Sequence, residues 1–167
     1  MALLRDGLLA QRAIATVAVP DAVTVALGRL GARVEELRPD PGLGEDEEAV
    51  GAWARERSPL HALVLGAGAG TATDAVWACV REVAVGALIP GAGAGKVILI
   101  APRADPPLAA ALESLARTLS VEWARFGVSA VTVAPGRHSG GEEVAQVVCF
   151  LCSRAGEYLS GCVLRMR

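Results

Sequence analysis

Six short apolar runs recur along this chain, with segments of helical period between them. No other feature narrows the fold as far. The runs are Arg12–Val19, Arg33–Leu37, Leu60–Leu65, Lys96–Ala101, Val128–Val133 and Cys162–Met166. The helical segments are Asp21–Leu30, Asp46–Arg57, Thr71–Leu88, Pro107–Phe126 and Glu142–Ser153. Strands that alternate with helices are joined by crossovers, and crossovers build a parallel sheet with helices on both faces. The expected fold is therefore α/β: a doubly wound parallel sheet of about six strands. At 167 residues it forms one domain, long enough to bury a core. Ser139 and Glu142 are spaced as a capping box for the last helix.

The stretch Leu63–Val80, LVLGAGAGTATDAVWACV, has the order strand, glycine-rich turn, helix. That order cradles dinucleotide phosphates in many folds. The fingerprint fails here, since Thr71 stands where the third glycine belongs. The plainer reading is a tight turn that lets strand and helix approach closely. GAGAG recurs at 91–95, where it leads into a strand, so it is no repeat architecture. The loop after Leu37 carries Pro39, Pro41, Gly42 and Gly44, and Glu45–Glu48 reads as a solvated helix start.

The net charge is −2, and a nucleic-acid partner would want a basic face. No run of about twenty apolar residues escapes Gly, Pro or charge, so no membrane span is expected. The first residues, MALLRDGLLAQR, hold no signal-peptide core, which makes a cytoplasmic location the expectation. Cys149 and Cys152 form a CxxC near the C-terminal end of a helix, away from the N-terminal dipole that activates redox thiols. With Cys79 and Cys162 they read as structural thiols, and no zinc set accompanies them. His61 and His138 lack a nucleophile partner, and Asp105, in PRADPP, reads as an exposed turn.

Ala111–Gly136, ALESLARTLSVEWARFGVSAVTVAPG, resembles the short-chain dehydrogenase/reductases, in the manner of 3-oxoacyl-carrier-protein reductases. Glu142–Met166 resembles the C-terminal stretch of that family, and Leu30–Val34 its second strand. The resemblance implies a Rossmann-type sheet of order 3-2-1-4-5-6-7. Leu65–Gly68 takes the place of the family's NNAG, and the phosphate turn belongs at Thr16–Ala26, where the family has TGxxxGxG. That segment contains no glycine. Pro20 offers no N–H, and Asp21 sets a carboxylate where phosphate would lie.

The family's catalysis rests on Tyr, Lys, Ser and Asn. In the register of Ala110–Leu115, Asp105 and Ala109 stand at the Tyr and Lys positions, and Pro102 falls near the Ser position. The chain has no Asn; its one Tyr is Tyr158 and its one Lys is Lys96, neither in the motif's place. No catalytic, cofactor-binding or metal residue is therefore assigned to this chain. The substrate-covering loop is also short, as APG runs almost directly into the last helix. Between Val34 and Gly66 the chain is too short for two βα units, so the family's edge strand is expected to be lost or merged.

What survives is what the family uses to oligomerise. Thr71–Leu88 is apolar nearly all round and is expected to be covered on both sides. In Pro107–Phe126 the stripe Leu108, Leu112, Leu115, Leu119, Trp123 and Phe126 faces the sheet. The opposite side, Ala110, Ser114, Arg117, Val121 and Ala124, is mostly small and is expected to meet a partner helix, with Leu164 and Met166 in a second interface. The expected role is a non-catalytic subunit hetero-oligomerised with an intact paralogue, a ketoreductase-like enzyme that carries the NAD(P). Two other readings stand beside it: an active oxidoreductase with an unorthodox site, and a ligand-binding or regulatory protein.

Overall fold

The computed structural model describes residues 4–38, 46–91, 93 and 95–167. The six strands are β1 (Ala13–Val17), β2 (Arg33–Glu36), β3 (Ala62–Gly66), β4 (Gly95–Ile100), β5 (Val128–Ala134) and β6 (Val163–Arg165). They form one sheet of order β2-β1-β3-β4-β5-β6, with every neighbouring pair parallel. This is the expected order without its outermost strand. The Pro39–Gly44 loop, Glu45 and two residues of the second GAGAG lie outside the described residues.

The central strands read as continuous β-branched and apolar runs because both of their faces are covered. β1, β3 and β4 are buried at every position. On one face lie α1 (Asp21–Arg29) and α5 (Gly141–Cys152), over Ile14, Val64, Ile98 and Val131. On the other lie α2 (Glu47–Glu56), α3 (Thr73–Val83) and α4 (Pro106–Glu122), over Leu63, Leu65, Val97 and Leu99. Leu112 and Leu119 of α4 are shut from solvent, and each such burial contributes about 2 kcal/mol.

Three local expectations are corrected. Ser139 does not cap α5. Gly140 is its N-cap residue, and the buried Ser139 hydroxyl instead accepts from the Gly136 N–H and donates to the Arg167 carbonyl, both at 3.0 Å. The hydroxyl is drawn away because β6 ends beside the β5–α5 loop and leaves a carbonyl to satisfy.

The segment after α3 is a π-turn, Ala84–Leu88. Its cover on the side away from the sheet comes from α2 of the same chain. Gly86 makes the crossing possible, since a Cβ there would stand 2.9 Å from the Ala54 methyl. Val85 is the one large hydrophobic this segment exposes. On α4, Phe126 leaves the sheet-facing stripe. The helix ends at Glu122, and a 3-10 turn, Ala124–Phe126, carries that ring outward.

Among the described residues one buried side chain has no hydrogen-bond partner. Thr16 on β1 is shut from solvent, and its Oγ1 makes no hydrogen bond. An orphaned hydroxyl carries its desolvation cost into the folded state, so an apolar group of the same shape stabilises. Thr16→Val is expected to raise stability by about 1 kcal/mol and the melting midpoint by roughly 2–4 °C. A urea titration and a thermal scan check this.

Candidate functional site

In an open α/β sheet, ligands bind outside the carboxyl ends of the strands, where the winding reverses. Here that point falls between β1 and β3, since β2 flanks β1 on one side and β3 on the other. A crevice of about 490 Å³ opens beside it, lined by Pro20, Ala67, Gly68, Pro102 and Val144, with Arg103 at its edge. Arg103 is committed, because its guanidinium donates to the Ser139 carbonyl.

The β1–α1 turn closes rather than opens this crevice toward a phosphate. Ala18 takes the left-handed conformation, φ 49°. Its carbonyl presses on Gly66 so closely that no Cβ fits there. The close approach that Gly66 allows is thus to the backbone of the β1–α1 turn, not between strand and helix as expected. Pro20 is the N-cap residue of α1 and Asp21 fills its first turn. A dinucleotide needs free N–H groups and open backbone at that helix start. The residues present do not fit one there.

The fold also brings an acidic side chain to the carboxyl end of β2. Glu36, at the end of β2, stands where such folds hold the ribose. The signal is an acidic residue about twenty positions after the first strand. Its carboxylate is paired to Arg38 at 2.8 Å, a bond that holds it below the usual carboxylate range.

Asp105 is no free acid. It is the N-cap residue of α4: one oxygen accepts from the Leu108 N–H and the other from the Gly70 N–H, both at 3.1 Å. These bonds, Gly70's first, hold its carboxyl below the ordinary range, so it stays ionised and ties the β3–α3 turn to α4. Ala109 packs half-buried against the core, and Pro102 lines the crevice without a donor to offer.

Tyr158 and Lys96 lie toward the opposite end of the sheet, where the strands begin. Lys96 is buried at the amino end of β4, and its ammonium donates to the carbonyls of Gly156 (2.5 Å) and Leu159 (2.8 Å). Burial, first among the causes, pushes its pKa below the ordinary lysine value. Tyr158, in the connection from α5 to β6, is 91% exposed. The sheet itself separates both from the crevice.

His138 is exposed on the loop after β5. His61 has a structural contact, its Nδ1 accepting from the Ala13 N–H at 3.0 Å. All four cysteines are free, and Cys79, Cys149 and Cys152 are buried. Burial pushes the Cys79 thiol up to about 12 and that of Cys149 up to about 11, and raises Cys152 as well. Among the described residues no three His, Cys, Asp or Glu stand together as metal ligands, and no helix is long and apolar enough to cross a membrane.

The expected interface residues divide. Ala110, Ser114, Arg117, Val121 and Ala124 are all exposed, Val121 at 77%. Ala124 belongs to the 3-10 turn and not to α4. Arg117 and Arg165 share the carboxylate of Glu113 at 3.7 and 2.8 Å, which fastens β6 to α4. Leu164 and Met166 are half-buried against the chain's own core beside α5.

Fold and crevice define a doubly wound α/β protein with one parallel sheet of six strands. Solved structures of the same fold are short-chain dehydrogenase/reductases and related enzymes. RhlG from Pseudomonas aeruginosa, in its NADP active-site complex, is 19% identical over 98% of each chain, with a TM-score of 0.81. A hydroxysteroid dehydrogenase from Escherichia coli is 16% identical over 97% of this chain and 98% of its own, with a TM-score of 0.80. A short-chain dehydrogenase/reductase from Brucella ovis is 22% identical over 94% of this chain and 100% of its own, at 0.71. No family model matches the chain, and no curated protein does. The chain has the short-chain dehydrogenase/reductase fold.

Proposed function

We propose that this chain is a non-catalytic subunit that completes the assembly of an intact short-chain dehydrogenase/reductase. The partner would bind the NAD(P) and carry the hydride transfer between hydroxyl and carbonyl, as a ketoreductase does. The observation that carries this reading is the β1–α1 turn. Ala18 in the left-handed conformation, Pro20 at the N-cap and Asp21 in the first turn replace the open glycine turn that a pyrophosphate requires. The placement of Tyr158 and Lys96 across the sheet supports it, since neither side chain can reach a substrate in the crevice. An active oxidoreductase is the less favoured reading, because Asp105, which stands at the Tyr position of the family's register, is spent on two backbone N–H groups. Four unpaired cysteines suit a reducing compartment, and the cytoplasm is the proposed location.

Titration calorimetry of the purified chain with NADH and with NADPH tests the central point. No saturable binding is expected up to millimolar dinucleotide. A dinucleotide bound with its pyrophosphate at Val17–Ala22 would overturn the reading.

A further inference from the structure

A second concavity, of about 530 Å³, lies at the amino ends of β1 and β3, on the far edge of the sheet from the crevice. It is lined by Gln11, Arg12, His61, Arg154 and Glu157, with Leu8 at the rim. Nothing in the proposed function uses it.

Its one carboxylate, Glu157, is paired with Arg12, and the other polar side chains that line it are donors. Arg12 is largely buried, 17% exposed, and is held by Glu157 at 2.5 Å, which fixes its fork. Arg154 is exposed on the 3-10 turn after α5 and has no carboxylate paired to it among the described residues. His61 accepts from the Ala13 N–H through Nδ1, so in the neutral ring Nε2 carries the proton and donates. Burial, and then the guanidiniums of Arg12 and Arg33, push the His61 pKa down, so it stays in that neutral, donating form. The charges that act on this ring are both positive. Glu157 offsets Arg12 alone, and Arg33 is itself paired to Glu35. Gln11 stands in the left-handed region at φ 67°, a conformation that non-glycine residues rarely hold. Such strain is found where the backbone is held for a site.

We propose that this cleft binds a small oxyanion of phosphate type, free or borne on a small molecule, held by Arg154 and Arg12 with the His61 Nε2–H and the Gln11 amide as neutral donors. Guanidinium forks match such oxygens, and a cleft of this volume admits a ligand larger than the bare ion. The proposal does not depend on the chain being non-catalytic.

The chain carries two histidines, so selective 15N-histidine labelling reports His61 with His138 as an internal reference. Inorganic phosphate and a phosphate monoester are titrated at constant ionic strength. A saturable shift at His61 with His138 unmoved is expected. Arg154→Gln, an exposed substitution that spares the Arg12–Glu157 pair, is expected to weaken binding roughly tenfold, the loss of one charge-assisted hydrogen bond. Tighter binding of the monoester assigns the site to a phosphate carried on a molecule, and equal binding to the free ion; either supports the proposal. No saturable change at His61, equal movement of both histidines, or unaltered affinity in Arg154→Gln would overturn it.

Discussion

Val121→Arg is expected to leave the chain folded and take its assembly apart. Val121 is 77% exposed on α4, so an arginine there meets solvent in the lone chain and costs the fold little. In the proposed seam between paired helices it would meet another chain. Burying an unpaired charge in such a seam costs several kcal/mol. Even about 3 kcal/mol weakens association roughly a hundredfold, enough to dissociate a complex at micromolar concentration. Ala124→Arg is expected to act the same way. Partner activity falls with the assembly, although no active-site residue has changed.

Asp105→Ala and His138→Ala are the counter-cases. The first removes a cap worth about 1 kcal/mol of stability and the second an exposed ring, and turnover of the complex should stay within a few-fold. Size-exclusion chromatography and a turnover assay on the same samples decide. An intact assembly in Val121→Arg removes α4 from the interface. Lost turnover in Asp105→Ala, with assembly intact, makes Asp105 an acid of an unorthodox enzyme instead.

Lys96→Met is expected to lower stability by about 2–4 kcal/mol and the melting midpoint by roughly 5–15 °C. Methionine fills the same channel but donates nothing, so the Gly156 and Leu159 carbonyls lose the ammonium that satisfies them. Each orphaned buried acceptor costs about 1–3 kcal/mol. The pH dependence separates this from a packing defect. Burial lowers the Lys96 pKa in the folded chain below its ordinary 10.5, so the folded state releases that proton first. Between the folded pKa and 10.5 the unfolded chain binds more protons, and the lysine's contribution to stability rises with pH. The gap between parent and Lys96→Met should therefore widen toward pH 10.5. The Cys79 and Cys149 thiols titrate in both proteins and cancel in the difference, while Cys152, which couples to Lys96, is kept protonated in the folded chain by burial. A gap that stays flat or narrows would show that the lysine is not desolvated as the fold places it.

The strands and helices were legible because period and turn chemistry are local. β4 contains the run KVILI, and α4 begins within one residue of the periodic segment's start at Pro107. The count of Asn, Tyr and Lys on which the proposed non-catalytic role rests also needs no coordinates. The outward face of α4 followed from spacing alone, as Ala110, Ser114, Arg117 and Val121 are all exposed.

What the sequence could not carry was every decision that depends on a distant neighbour. Ser139 has the spacing of a capping residue, but the Arg167 carbonyl, 28 positions away, claims its hydroxyl. Thr71–Leu88 asks for cover on both sides, and only the fold shows that α2 supplies it through the contact of Gly86 with Ala54. Asp105 reads as a loose turn until the Gly70 N–H, 35 positions earlier, is found on its carboxylate. Lys96 reads as a residue that starts a strand, and the carbonyls that hold its buried ammonium lie about sixty positions on. Local periodicity selects the elements, because backbone hydrogen bonds and one apolar face are satisfied within a few residues. Buried polar groups are satisfied by whichever chain segment packs against them, and that choice belongs to the tertiary structure.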